Sequence, residues 1–414
     1  MERNLALDAT AEPEYPSRAW LFLPFGLSPA VVIGYVMIAV SDALSRAAAP
    51  LSSVSMLVTA AFLPATLMFL WAPFIDIVRQ RRRWILAGVL LLSAVAAGLA
   101  MAPHTEAGLP LLVPLAALAG FGYSLVSAAQ KGLAVELLAP KRRVAAAGWA
   151  GAGSGIGLAA SGGVLVASAS LSPPGTALLL VALAGIPSLV SLALLERRIP
   201  RHAPDAATLR DVFTDTRRLF GTGPGRLTLA ICMLPIGTSA AFLMLGALGP
   251  DFQSTAAVVG ALAGTARSLA MAAGALLGAR FWLRLGTKSG CVLSTLALAA
   301  FSLLALAVPK TPNGYAFVVC GYGFLSGASL SALAGIILET VEQRASSTQA
   351  SVLVAAGNLE NVYLPPMVGI AHDVAGLTGL LLVDSAVGVG GLLLYLLCAR
   401  ALHQHPLLSQ RVGG

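Results

Sequence analysis

Long apolar segments recur along the whole chain, and they decide which folds are open to it. A hydrocarbon core about 30 Å thick is crossed by about 20 residues of helix. Twelve segments near that length can be counted, numbered here in chain order as spans 1 to 12: 19–42, 53–75, 84–102, 110–133, 145–168, 175–195, 227–248, 256–281, 289–308, 315–338, 348–371 and 379–399. Because backbone amides in hydrocarbon need partners within their own segment, we predict an all-α integral membrane protein.

The composition supports this interpretation and narrows the function classes. The chain is 57% hydrophobic and only 11% charged, which is unlike a soluble domain. The segment 1–18 is polar and acidic, so no cleavable signal is expected before span 1. All four cysteines fall inside apolar runs, which is typical of packing residues and not of disulfides or metal ligands: Cys232, Cys291, Cys320 and Cys398. No cofactor and no metal site are expected.

The longest polar interruption, 196–226, divides the spans into six and six. We therefore predict five parts: a cytoplasmic tail (1–18), a six-helix bundle (19–195), a cytoplasmic linker (196–226), a second six-helix bundle (227–399) and a cytoplasmic tail (400–414). Within the linker, one set of residues has the spacing of a short amphipathic helix on the membrane surface: Leu209, Val212, Phe213, Arg217 and Phe220. A solvated connector and a regulatory site are the two interpretations of this segment.

Lysine and arginine predict the orientation, since cationic loops stay on the cytoplasmic side during insertion. With both termini inside, only Arg46 and Lys310 face outward. Apart from Lys131 and Arg267, which lie within spans, the other cations fall in the predicted cytoplasmic segments: Arg3, Arg18, Arg79, Arg81 to Arg83, Lys141 to Arg143, Arg197, Arg198, Arg201, Arg210, Arg217, Arg218, Arg226, Arg280, Arg284, Lys288, Arg344, Arg400 and Arg411. The net charge of +8 is therefore a topology signal, and no nucleic-acid partner is expected because the cations form no compact patch.

A polar hairpin joins spans 2 and 3. It reads Phe-Leu-Trp-Ala-Pro-Phe-Ile-Asp over 69–76 and is followed by arginines at 79 and 81–83. Together with two sets of six spans and a basic linker, it resembles the loop Gly-x-x-x-Asp-x-x-Gly-Arg-Arg of the major facilitator superfamily, with Ala72 at the first glycine. The resemblance implies a conformational latch formed by Asp76, Arg81 and Arg82 at neighbouring helix ends.

Shorter matches point to one branch of that superfamily. They are Phe-Leu-Trp-Ala-Pro at 69–73, Glu-Leu-Leu-Ala-Pro at 136–140, Ser-Gly-Gly at 161–163, Ser-Thr-Gln at 347–349 and Val-Tyr at 362–363. Their order resembles the branch of muropeptide permeases, acetyl-CoA transporters and permeases for ferripyochelin and rhizobactin. Where the muropeptide permeases carry intramembrane charges, this chain has mostly other residues: Ser127, Lys131, Gly155, Asn361, Pro235 and Thr238. A scaffold with replaced charges indicates a different ligand, so we favour the siderophore permeases.

Two charged residues are predicted deep inside the membrane. Arg267 lies near the middle of span 8, too far from either end to reach water easily. It either anchors an anionic ligand or forms a structural ion pair with Glu360, which lies at similar depth in span 11. Glu360 is in turn the candidate group for proton coupling. Asp42 and Asp384 lie near the outer ends of their spans, where solvation is the default.

Further candidates for ligand contact come from polar and aromatic residues within spans. Lys131 in span 4 either contacts the ligand or extends its stem to the interface. Tyrosines within hydrocarbon need a partner and can stack on an aryl ligand, as can tryptophan. The complete set of predicted ligand-binding residues is Arg267, Tyr35, Tyr363, Lys131, Tyr123, Tyr322, Trp149 and Asn361.

These features predict a monomeric carrier of the bacterial inner membrane that imports a ferric siderophore by alternating access. A proton gradient is the expected driving force, since no Gly-x-x-x-x-Gly-Lys-Ser/Thr motif occurs. Muropeptide uptake, drug export and a transporter-like sensor remain alternatives. An enzyme is not expected, because the five histidines all fall at predicted loops or termini: His104, His202, His372, His403 and His405.

Overall fold

The structure is a computed structural model that describes residues 18–47, 51–78, 80–168, 171–196, 208–245 and 248–404. In this part of the chain every regular element is a helix. Spans 1 to 6 contain the helices Ala19–Leu44, Leu51–Thr66 with Ala72–Val78, Arg81–Met101, Leu109–Leu137, Pro140–Ser168 and Pro173–Glu196. Span 2 is bent by 51° between its two helices. The predicted all-α architecture is present in the first half.

The second half begins with Gly223–Met233 and Ala240–Met244 in span 7. Spans 8 to 10 contain Gly260–Leu285, Thr287–Leu306 and Pro312–Thr340. Span 11 starts with Ser346–Asn358, and a continuous run Glu360–Gln404 carries the rest of span 11 and span 12. Non-helical dihedral angles at Ala375 and Gly376 separate these two spans.

Length and apolarity identify the membrane crossings. Within the described residues, eight helices are long and apolar enough to cross a membrane, or nine when the bent pair of span 2 counts as one. The other three predicted spans are helical too. Span 5 is rich in glycine and alanine, and spans 7 and 11 are divided into shorter helices. The chain is therefore a multi-pass membrane protein.

Span 7, predicted as a single crossing over 227–248, is divided into two helices. The helix ends at Met233 and a new one starts at Ala240. Pro235 has no N–H to donate, and Gly237 adopts a φ of 75°, which favours glycine. The intervening residues Leu234–Ser239 form a break in the middle of the membrane, which is tolerated only where protein or a cavity surrounds it.

Span 5 holds the two halves together through close backbone contacts. A Cβ atom at Gly153 would overlap the carbonyl oxygen of Leu23 in span 1. On another side, a Cβ at Gly155 would lie 2.6 Å from the carbonyl oxygen of Ser268 in span 8. The small residues of span 5 thus let helices from both halves approach it, as the glycine content predicts.

The linker contains the predicted short helix, Leu209–Gly221. Thr208 and Asp211 form a reciprocal capping box at its start, and the hydrogen bonds from Thr208 lower the pKa of Asp211. Arg344, in the loop between spans 10 and 11, lies 3.0 Å from Asp211. Val212 is buried against Ile77 and Ala345. One face of the helix therefore packs on protein, while Phe213 is 60% exposed.

Candidate functional site

Two cavities lie on either side of Leu330 in span 10. The first, of about 140 Å³, is enclosed by spans 1, 4, 5 and 10 and is called here the Lys131 cavity. The second, of about 220 Å³, is enclosed by spans 7, 8, 10 and 11 and is called the Glu360 cavity. Leu330 lines both, so the two cavities are neighbours, and we call the pair the chamber.

The Lys131 cavity carries a cation without an acidic partner among the described residues. The Nζ atom of Lys131 donates to the Ser127 hydroxyl at 2.5 Å and to the Ser127 carbonyl at 3.3 Å. Tyr123, one turn earlier in span 4, lines the same cavity. The side-chain oxygen of Gln130 is buried there and has no hydrogen-bond partner in the described part of the chain. This wall can therefore accept a solute with anionic or hydrogen-bonding groups.

The Glu360 cavity contains an acidic side chain where the first cavity contains a cationic one. Glu360 is 3% exposed and starts the second helix of span 11. Thr238, from the break in span 7, lies beside it, and Ser326 on span 10 has a buried hydroxyl with no hydrogen-bond partner among the described residues. A buried carboxylate in a polar cavity is costly unless a cation or a proton reaches it. The arrangement is therefore suited to cation or proton handling.

Arg267 lies behind one wall of the Glu360 cavity. Its guanidinium carbon lies 4.9 Å from the centre of the Phe242 ring, and Nη1 donates to the Phe242 carbonyl at 3.4 Å. Phe242 itself lines the cavity. Among the salt bridges of the described residues there is none between Arg267 and Glu360. Of the two interpretations of Arg267, the structural ion pair is thus not formed in this conformation.

The polar hairpin closes the basic side of the molecule. Asp76 is fully buried, and its carboxylate accepts hydrogen bonds from the backbone N–H groups of Ser347 at 3.1 Å and Thr348 at 2.7 Å. The Thr348 hydroxyl donates a further bond of 2.8 Å. These residues begin span 11, so an acid of the first half caps a helix of the second half. Helix N-termini carry unsatisfied N–H groups and a positive dipole end, which favour a carboxylate.

Arg81 extends this contact. Its guanidinium donates to Asp76 at 3.1 Å, to the Ser346 hydroxyl at 3.0 Å and to Glu136 at 2.6 Å. Arg82 follows it at the start of span 3 and is half-buried. Spans 2, 3 and 4 are thereby joined to span 11. We call the set Asp76, Arg81, Glu136, Ser347 and Thr348 the Asp76 latch.

A second contact crosses the halves on the same side. Arg143, at the start of span 5, donates to the Leu338 carbonyl at 3.0 Å near the end of span 10. It also donates to the carbonyls of Val135 and Leu138 in its own half, each at 3.0 Å. An arginine at the last carbonyls of a helix satisfies groups that have no partner within the helix. The basic side is therefore closed at two points.

Four of the predicted ligand-binding residues lie away from the chamber. Tyr35 lines a separate cavity of about 390 Å³ with His104, between spans 1, 3 and 6. The Tyr363 hydroxyl donates to the Met233 carbonyl at 3.1 Å, where span 7 breaks. Tyr322 donates to Ser302 at 2.9 Å inside the second half. Trp149 is half-buried on span 5 and is not among the residues that line these cavities. The side chain of Asn361 lies outside the described residues.

Sequence reasoning missed four polar residues. Gln130, Thr238 and Ser326 line the chamber, but serine, threonine and glutamine in apolar runs carry no signal of their own. The interpretation of Asp384 as a solvated residue was wrong, since it is only 6% exposed and accepts hydrogen bonds from several helices. The available signal was a carboxylate more than one helical turn inside the predicted start of span 12.

Comparisons with known proteins place this geometry in a family. The model of the Major Facilitator Superfamily matches residues 25–245, more than half of the chain. The human organic anion transporter MFSD10 (TETRAN) superposes with a TM-score of 0.66 at 15% identity, over 91% of this chain and 97% of that one. A bacterial homologue of the iron transporter ferroportin, in its outward-facing state, gives 0.64 at 16% identity, over 92% and 98%. No curated protein sequence matches the chain. From the family match and the shared fold, the chain belongs to the major facilitator superfamily.

Proposed function

We propose that this secondary transporter imports a ferric siderophore across the bacterial inner membrane, with ferripyochelin as the first ligand to test. In this proposal the basic loops and both termini face the cytoplasm, and a single chain is the working unit. The order of short matches to the branch that includes the siderophore permeases, together with the replaced intramembrane charges, supports the ligand class. The bias of lysine and arginine toward one set of loops supports the orientation.

The observation that carries the proposal is a polar chamber beneath a closed latch. Asp76 and Arg143 join the halves on the basic side, and the Lys131 and Glu360 cavities lie between those contacts and the other side of the membrane. A solute enters from the periplasm, the halves rock, and the latch opens to the cytoplasm. The described conformation is the one closed toward the cytoplasm.

The chamber favours a large solute with oxygen-rich groups. Each cavity is smaller than the roughly 300–1,000 Å³ typical of ligand pockets, so a solute of that size occupies both. Lys131 and the polar groups of Gln130 and Ser326 suit carboxylate, phenolate or amide oxygens of an iron chelate. Two structural neighbours are an organic anion transporter and a homologue of an iron transporter, but at 15% and 16% sequence identity they support the fold alone.

Proton coupling is assigned to Glu360. Its carboxyl lies in the chamber and has no arginine or lysine within ion-pair distance among the described residues, so binding and release of a proton there change the charge of the cavity. Protonation on the periplasmic side and release on the cytoplasmic side would drive uptake. We expect Glu360→Gln to abolish accumulation against a gradient while leaving downhill exchange.

The testing experiment measures uptake of iron-labelled ferripyochelin into everted and right-side-out membrane vesicles from cells with and without the gene. Labelled anhydromuropeptide is measured in parallel, together with efflux of a fluorescent drug. Ferripyochelin uptake that depends on the gene and collapses with a protonophore supports the proposal. Uptake of the muropeptide alone, or drug efflux alone, overturns the ligand assignment but leaves the assignment as a carrier in place.

A further inference from the structure

A buried carboxylate in the second half has no part in the mechanism above. Asp384, in span 12, accepts hydrogen bonds from Ser239 at 2.9 Å, from the backbone N–H of Ala241 at 3.0 Å and from Ser302 at 2.7 Å. The Tyr322 hydroxyl lies 3.4 Å away and also donates to Ser302. Spans 7, 9 and 10 thus converge on one side chain of span 12. We call this set the Asp384 hub.

The chemistry of the hub explains how an acid is tolerated there. An ionised carboxylate only accepts hydrogen bonds, and every hydrogen-bond partner of Asp384 among the described residues is a donor. Ser239 is also the N-cap of Ala240–Met244, since its hydroxyl accepts from the Phe242 N–H. The charge of Asp384 therefore lies at a helix N-terminus, where the dipole favours it. Hydrogen bonds replace the missing counter-ion.

The hub fixes the break in span 7. Seven residues after Asp384, which is about two helical turns, Gly391 lies on the same face of span 12. A Cβ atom at Gly391 would lie 2.7 Å from the Pro235 ring. Within the break, the N–H of Gly237 donates to the Thr295 hydroxyl of span 9 at 2.8 Å. Spans 9 and 12 together hold the non-helical residues in one shape.

That shape forms part of the chamber wall. Gly237, Thr238, Ser239 and Phe242 all line the Glu360 cavity, and Phe242 carries Arg267 on its ring. We propose that Asp384 is a positioning residue. It holds the broken helix of span 7 so that Thr238 and Phe242 face the solute, while Phe242 keeps its contact with Arg267. Asp384 does not itself touch the solute. The inference rests on the proposed carrier function.

The test measures the local shape of the break without needing a ligand. In a background with all four native cysteines replaced by alanine, Thr238→Cys and Gln130→Cys are labelled separately with a membrane-permeant maleimide in native membranes. The first reports the Glu360 cavity and the second reports the Lys131 cavity. Each probe is then combined with Asp384→Ala.

We expect Asp384→Ala to change the labelling rate of Thr238→Cys by about tenfold and that of Gln130→Cys by less than about twofold. Ser302→Ala keeps the acid and removes one donor of span 9, so it should change the Thr238→Cys rate about threefold in the same direction. It serves as the milder variant if Asp384→Ala is absent from the membrane. Unchanged labelling at Thr238→Cys in both variants, or equal changes at both probes, overturns the proposal.

Uptake kinetics separate this inference from the ligand assignment. In the otherwise native chain, Ser302→Ala should raise the KM for iron-labelled ferripyochelin about threefold with maximal rate nearly unchanged, because the wall is displaced and the latch is intact. If the native chain does not transport ferripyochelin, the ligand assignment fails, while the labelling result still decides the role of Asp384. A fall in maximal rate at unchanged KM contradicts a positioning role.

Discussion

Two buried aspartates cap helix N-termini in this protein, and they differ in which parts of the molecule they connect. Asp76 belongs to the first half and caps span 11 of the second. Asp384 caps the short helix of span 7, and all of its partners lie in its own half. The same chemistry therefore serves two purposes. A contact between halves must break in each cycle of a rocking carrier, whereas a contact within one half can persist throughout.

The surroundings of the two acids fit this difference. Asp76 shares its charge with Arg81, which also contacts Glu136 and Ser346, so the first half retains an ion pair after span 11 departs. Asp384 has no cation within ion-pair distance among the described residues and depends on donors from three helices. Loss of those donors would leave a bare buried charge, which is strongly unfavourable. We infer that the Asp384 hub moves as one body with its half.

The largest expected effect is that of Asp76→Ala. This change removes the charged acceptor of two N–H groups and one hydroxyl of span 11 in the closed state, which costs that state about 3–5 kcal/mol. The equilibrium should shift toward the cytoplasm-open conformation by more than about a hundredfold, and uptake should be lost. Uptake is measured together with maleimide labelling of Ser347→Cys in everted vesicles.

The control for that change is Asp251→Asn, which removes the partner of His372 on the opposite side of the membrane. Normal uptake by Asp76→Ala at normal expression would show that the latch is not needed for closure.

Near each of the two acids, one glycine lets neighbouring groups approach closely. These glycines, Gly132 and Gly391, form a matched pair for mutation. A Cβ at Gly132 would overlap the Ser347 hydroxyl and lie 2.9 Å from Cδ of Arg81, so Gly132→Ala should weaken the Asp76 latch alone. Gly391→Ala should displace Pro235 and the break in span 7 alone. We expect each to reduce uptake about tenfold, the first through the maximal rate and the second through the KM. Identical kinetic signatures would contradict the division between the two regions.

Tyr322→Phe removes a hydroxyl that donates to Ser302 at the edge of the Asp384 hub. We expect a loss of about 1 kcal/mol in the unfolding free energy, measured by thermal unfolding in detergent, since the remaining donors stay with the acid. Uptake should fall by less than about threefold. A loss of uptake as large as that caused by Asp384→Ala would show that Tyr322 contributes to ligand binding directly, as the sequence suggested.

The smallest effect is expected at the linker helix. Arg344→Gln removes an ion pair with Asp211 between groups that are 47% and 38% exposed, so uptake should change by less than about twofold. The hydrogen bonds from Thr208 and the charge of Arg344 lower the pKa of Asp211. The contribution of the ionised Asp211 carboxylate to stability is therefore present at neutral pH, and it disappears only as the pH falls below the ordinary carboxyl range. A larger effect at neutral pH would indicate that this helix regulates the latch.

The fold could be predicted because its main constraint is one-dimensional. Apolar runs of about 20 residues predicted the helices, and the polar segment between spans 6 and 7 contained the amphipathic helix that the spacing at Leu209, Val212 and Phe213 indicated. The sequence interpretation gave span 7 as a single crossing and did not place the break that lies at Leu234–Ser239. The site could be predicted only in part. Lys131, Tyr123 and Glu360 lie on the chamber, whereas Tyr35 and Tyr322 lie in other environments.

The sequence by itself determined that this chain crosses the membrane many times and that charges such as Glu360 needed a polar enclosure. Those properties follow from the transfer free energy of each segment, which depends on local composition. Only the tertiary structure decided which acid caps which helix, where the chamber lies and what stands beside Arg267. Such contacts join residues separated by up to 272 positions, and no local pattern specifies the partner. They are set by how the helices pack, because a buried hydrogen bond needs both groups within about 3 Å.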